Sequence, residues 1–106
     1  MVRRGEIWLV NLDPTIGSEI RKSRPCVVIS PGEMHDHLRT VIVAPMTTGS
    51  HPAPFRIPVA HAGKEGLILL DQIRTVDKVR LASHFGKIPP RTLKALLETM
   101  QDMFSP

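Results

Sequence analysis

Apolar residues along this chain gather in short runs separated by turn-forming segments, and only the last stretch changes period. Ile7-Trp8-Leu9-Val10 is apolar at every position, the pattern of a strand covered on both faces. Asn11-Leu12-Asp13-Pro14 ends it, because Pro14 has no N–H to give a ladder. Cys26-Val27-Val28-Ile29 is a second such run, opened by Pro25 and closed by Ser30-Pro31-Gly32. Thr40 to Ala44 is a third, rich in Val and Ile and closed by Pro45. Phe55-Arg56-Ile57-Pro58-Val59 alternates as a half-buried strand does, and Pro58 confines it to a sheet edge or a bulge. Leu67-Ile68-Leu69-Leu70 is a fifth run. Ile73 to Val76 extends the sheet after a break, and His84 to Ile88 reads as a last short strand.

At the end the spacing becomes helical. Leu93, Leu96, Leu97, Met100, Met103 and Phe104 recur every three or four residues and share one helix face. Pro90 suits the first helical turn, where its missing N–H costs nothing. Short strands followed by one helix predict a mainly β fold: a small, strongly bent barrel covered by a C-terminal helix. Two connecting segments are long and polar, Asp13 to Ser23 (DPTIGSEIRKS) and Met46 to Pro54 (MTTGSHPAP). Loops of that length in a small domain are more often functional than idle.

Composition narrows the class. With 106 residues the chain fits one domain, residues 1–106, by the usual prior of roughly 100–200 residues per domain. A domain this small buries little more than about 60% of its unfolded surface, so dimerisation would be a natural way to bury more. The net charge of +4 favours an anionic partner, although charge alone does not distinguish nucleic acid from an acidic protein or a membrane surface. Cys26 is the sole cysteine, which excludes an intrachain disulfide and a Cys-based zinc site and suits a reducing compartment. No apolar run approaches the roughly 18–20 residues of a membrane span. The expectation is a cytoplasmic protein with no membrane segment and no cofactor.

Several side chains are chemically suggestive. Arg24 stands before Pro25, which holds the preceding residue in extended backbone where the loop meets the sheet. A guanidinium there can address a phosphate with two parallel hydrogen bonds. It can equally pair with Glu19 or Asp71 and simply close the barrel end. Thr47-Thr48-Gly49-Ser50 offers hydroxyls beside a glycine, good for phosphate contacts and equally common in turns. His35-Asp36-His37 lacks metal-ligand spacing and reads as a solvated loop. With one Trp, no Tyr and three Phe, an aromatic base-stacking platform is not expected.

Taken together, these blocks resemble the MazF/PemK toxins. Arg4-Gly5-Glu6-Ile7-Trp8-Leu9-Val10-Asn11-Leu12-Asp13-Pro14 with Gly17-Ser18-Glu19 is similar to the opening of that family. Arg24-Pro25-Cys26-Val27-Val28-Ile29-Ser30, Val43-Ala44-Pro45-Met46-Thr47 and Leu70-Asp71-Gln72-Ile73-Arg74-Thr75-Val76-Asp77-Lys78 follow in the family's order. The resemblance implies an SH3-like barrel of the CcdB/PemK type and a homodimer. It also implies a type II toxin cutting single-stranded RNA, and a cognate acidic, MazE-like antitoxin. It places the catalytic Arg and Thr on Arg24 and Thr47, and a Glu used by some members on Glu19. Ser18 and Leu69 stand where the Kid toxin has functional His and Arg residues, while Asp71 matches, so the MazF arrangement is favoured.

The chemistry so implied needs no metal. The 2′-OH attacks the adjacent phosphorus to leave a 2′,3′-cyclic phosphate and a 5′-OH. Arg24 would stabilise the developing charge, Thr47 would orient the phosphate, and Glu19 would accept the proton, since a carboxylate is a base at neutral pH where guanidinium is not. Arg21 and Lys22 would position the RNA backbone, with Ser18, Thr48 and Asp71 as further RNA contacts. The alternative is a non-enzymatic toxin that binds a protein target such as gyrase, as CcdB does on a similar fold.

Overall fold

The computed structural model describes all of residues 1–106. The apolar runs become strands of one antiparallel sheet: β1 (Glu6–Asn11), β2 (Ser23–Val28), β3 (Thr40–Thr47), β4 (Arg56–His61), β5 (Lys64–Leu69), β6 (Arg74–Asp77) and β7 (Leu81–Lys87). Helix α1 (Gly32–His37) joins β2 to β3, and α2 (Pro90–Met103) ends the fold. The strand order is β4-β5-β3-β2-β1-β7, with β6 also on β3. The sheet is therefore a curled half-barrel whose free edges are β4 and β7.

Burial on both faces explains why β2 and β3 do not alternate in polarity. Val27, Ala44, Met46, Ile57, Ile68 and Leu96 belong to a core beneath α2, onto which Leu93, Leu97 and Met100 also pack. Val10, Leu12, Cys26, Val28, Val41 and Val43 form a second core, flanked by Trp8, Ile20 and Leu81. The α2 stripe outruns its core. Met103 and Phe104, expected on the buried face, are exposed, Phe104 at 70%. The helix starts with Pro90 at its first turn and has no side-chain cap.

Pro45 does not end β3 as expected. Residues Thr40–Val43 pair with β6, whereas Met46 and Thr47 pair with Ile68 and Leu67 of β5. Pro45 sits at this exchange of partners, where its missing N–H removes little of the ladder. Pro58 does lie on an edge strand, β4, opposite Leu67. The His35-Asp36-His37 segment is helical and not a solvated loop. His35 is buried, with Nε2 against Ser30 Oγ at 2.6 Å and Nδ1 against the Val2 carbonyl at 2.9 Å. Ser30 Oγ accepts the Ile42 N–H at 3.0 Å, so the buried polar groups satisfy one another. No helix is long and apolar enough to cross a membrane.

Candidate nucleic-acid cleavage site

The two free edges of the sheet approach each other, and aromatic rings meet across the seam. The His61 ring of β4 and the Phe85 ring of β7 stack with centroids 6.0 Å apart and 30° between planes. A cleft of about 310 Å³ runs along this seam, lined by Arg24, Thr47, Thr48, His61, Lys64 and Phe85 among others. Residues distant in sequence converge here because β2 and β3 are neighbours and both end at the same rim. Cys26 opposes Pro45, which brings the start of β2 beside the end of β3.

Extension of β3 through Pro45 makes Thr47 the last residue of a strand instead of a loop residue. Its carbonyl lies against Gly66 of β5, and its Oγ1 accepts the Gly49 N–H at 3.2 Å, holding the following turn. Arg24 lies in β2 opposite Val10. Its Nε donates to the Arg21 carbonyl at 3.2 Å, and none of the salt bridges in the fold involves it. Arg24 therefore does not close the barrel end by pairing with Glu19 or Asp71. Its charge is free for an anion.

Ser18, Glu19 and Asp71 line a different cleft, of about 380 Å³, together with Gln72 and Arg74. Glu19 Oε1 accepts the Ile16 N–H at 2.6 Å, and Gln72 Oε1 accepts the Ile20 N–H at 2.8 Å. These bonds shape the β1–β2 loop. Asp71 is taken by Arg56 through two parallel bonds at 3.1 and 3.0 Å. That pair holds the Asp71 carboxyl below the ordinary carboxylate range. Arg21 and Lys22 are exposed at the loop's exit, where Lys22 takes a left-handed backbone with φ of 67°. Arg24, Thr47 and Thr48 thus share one cleft within the chain, whereas Ser18, Glu19 and Asp71 share another. No group of three or more His, Cys, Asp or Glu side chains is placed to hold a metal ion.

His61, Lys64 and Phe85 were not among the residues the sequence nominated. His61 and Lys64 face each other across a two-residue turn, Ala62-Gly63, with φ of 52° and 75°. Both residues at positive φ make a tight hairpin turn, but Ala-Gly lacks the Asn-Gly or Asp-Gly signature that would have announced it.

The chain matches the family described as PemK-like, MazF-like toxins of type II toxin–antitoxin systems across residues 3–104. It belongs to that family. Among its relatives is Endoribonuclease PemK of Escherichia coli, 33% identical over 102 residues, covering 91% of this chain and 77% of the relative. Endoribonuclease MazF of Staphylococcus epidermidis is 40% identical over 87 residues, 76% of this chain and 72% of the relative. The crystal structure of MazF from Deinococcus radiodurans superposes with a TM-score of 0.84 at 25% identity, covering 96% of this chain and 94% of that chain. A mycobacterial endoribonuclease in complex with its cognate antitoxin shares the fold, with a TM-score of 0.81 at 18% identity over 96% of this chain and 93% of that chain. The protein is thus the toxin component of a type II system, on a MazF-type half-barrel.

Proposed function

We propose that this toxin, an endoribonuclease like its relatives, cleaves single-stranded RNA at the β4–β7 seam, without a metal cofactor and within one domain of residues 1–106. The observation that carries the reading is the convergence of an unpaired Arg24 with Thr47 and Thr48 in one open cleft. Attack of the 2′-oxygen on phosphorus adds negative charge to the non-bridging oxygens. Arg24 offsets that charge with a fixed guanidinium, and the Thr47 hydroxyl fixes the phosphate orientation. Products are a 2′,3′-cyclic phosphate and a 5′-OH end.

Glu19, the carboxylate nominated as base, is held by the Ile16 N–H in the other cleft. In this reading it fixes the β1–β2 loop, whose Arg21 and Lys22 contact the RNA backbone. The cleft of Arg24 and Lys64, which holds no carboxylate, also suits the acidic segment of a cognate MazE-like antitoxin, which would block RNA by occupying it. The functional unit is a homodimer: β7 is a free edge, exposed along nearly its whole length, and Phe85 is 45% and Phe104 70% exposed. The compartment is the cytoplasm, where its RNA substrate resides.

The test is incubation of the pure protein with long single-stranded RNA in excess EDTA, followed by mapping of 5′ ends. Cleavage at short motifs with 5′-OH ends supports the reading. Intact RNA alongside a toxic phenotype would point instead to a protein target. Arg24→Ala should remain folded and lose roughly 10²–10³-fold in cleavage rate.

A further inference from the structure

We infer that His61 is the catalytic base of this cleft, accepting the 2′-OH proton. The inference rests on the reading of the Arg24–Thr47 cleft as the RNA cleavage site. The chemistry there requires a proton acceptor, and the lining side chains supply a short inventory. Arg24 and Lys64 are donors only, and the hydroxyls of Thr47 and Thr48 are poor bases. Met46 and Phe85 exchange no proton. Imidazole is the one lining group that accepts a proton near neutral pH.

The other four histidines do not compete. His35 is buried with both ring nitrogens engaged. His84 stacks on Trp8 with centroids 4.9 Å apart, and its Nε2 contacts the Gly86 carbonyl at 3.0 Å and Glu6 at 3.5 Å. His37 ends α1, and His51 lies in the loop before β4; neither lines the cleft. His61 alone combines a position on the cleft wall with ring nitrogens that make no hydrogen bond within the chain. Its plane is set by the stack on Phe85, which leaves the ring edge, where both nitrogens lie, to substrate. The charged groups around it are Arg24 of β2 and Lys64 of β5. Thr47 and Thr48 at the end of β3 and Phe85 of β7 add none.

The step balances without any further reactant. His61 takes the 2′-proton as the O2′–P bond forms and the P–O5′ bond breaks. Water protonates the departing 5′-oxygen, and the imidazolium then returns its proton to the hydroxide so formed.

The test compares His61→Phe, His61→Gln, His61→Ala and Arg24→Ala with the parent in single-turnover RNA cleavage between pH 5 and 9. Binding of a 2′-O-methyl RNA, which has no 2′-proton to lose, is measured in parallel. His61→Phe preserves the stack on Phe85 but accepts no proton. Loss of about 10²–10⁴-fold in rate is expected, with binding retained. The acidic limb of the parent's pH profile should vanish in the variant, and added imidazole should restore part of the rate to His61→Ala. If His61→Phe and His61→Gln cleave at the parental rate with the parental pH profile while Arg24→Ala is inactive, the inference fails and the cleft stands. If Arg24→Ala also cleaves normally, the cleft is not the cleavage site at all. Loss of RNA binding along with cleavage in His61→Gln, with no imidazole rescue of His61→Ala, would reduce His61 to a stacking residue and overturn the inference.

Discussion

Gly66 leaves no room for a Cβ beside Thr47, and Gly66→Ala should disturb Thr47 through a single methyl group. A Cβ built at residue 66 falls 2.7 Å from the Thr47 carbonyl oxygen, 3.2 Å from its carbon and 3.6 Å from Thr48 Cγ2. Ordinary contact begins near 3.4 Å, so β3 and β5 must part by about 0.7 Å at this point. The obstacle is backbone, not a flexible side-chain tip, and Leu67 opposite Thr47 ties the two strands together beside it. Misplacing a catalytic group by about 1 Å costs on the order of 10²-fold. On that scale a displacement borne wholly by Thr47 lowers cleavage roughly 25-fold, and one shared equally with β5 lowers it roughly 5-fold. Overpacking also destabilises the fold, by about 1–3 kcal/mol. Single-turnover cleavage and thermal unfolding at fixed protein concentration read the two effects separately. Gly66→Ala with parental rate and parental melting temperature would show that β5 does not position Thr47.

Leu96 is fully buried where α2 meets the sheet, so Leu96→Ala should cost about 2–5 kcal/mol and is checked by urea unfolding. The Arg56–Asp71 pair gives a pH signature. Because Arg56 lowers the Asp71 pKa, the pair's contribution is complete above the ordinary carboxylate value of about 3.9 and fades as pH falls through the lowered one. Asp71→Asn should thus lie below the parent in unfolding midpoint at pH 7 and converge with it in strong acid. A constant gap at all pH values would mean the carboxylate charge contributes nothing. Burial pushes the Cys26 thiol up to about 12, with Arg74 opposing weakly. Cys26 should therefore resist a thiol reagent at pH 8 until denaturant exposes it, and rapid labelling of the native protein would contradict that burial.

Much of the fold was legible because it depends on local pattern. Unbroken apolar runs such as Val41 to Ala44 mark strands covered twice, Pro58 marks an edge, and the three-and-four spacing from Leu93 to Met100 marks the helix. Errors arose where a local signal was overruled by a distant partner. Pro45 carries a stop signal, yet β3 passes through it because β5 replaces β6 as its neighbour at that point. His35 looked solvent-facing among polar neighbours, but Ser30 and the Val2 carbonyl, brought beside it by the fold, satisfy its ring. The helix face was overextended because the core beneath α2 ends before the apolar spacing does.

The site shows the same division. Arg24 and Thr47 could be nominated from their motifs because each sits in a run with a recognisable order. Glu19 could be nominated too, but spacing gives no warning that the Ile16 N–H engages its carboxylate on another surface. His61 and Lys64 belong to no motif; an unadvertised Ala-Gly turn puts them opposite each other, and only the curl of the sheet carries them to the rim shared by Arg24, Thr47 and Phe85. Which side chains share that rim depends on how the half-barrel curls its two edges together. Register and curl determine that placement, and they are set by the pairing of strands that are remote in sequence. A motif can therefore name Arg24 while leaving His61 unnamed, since the two stand on different strands at the same rim.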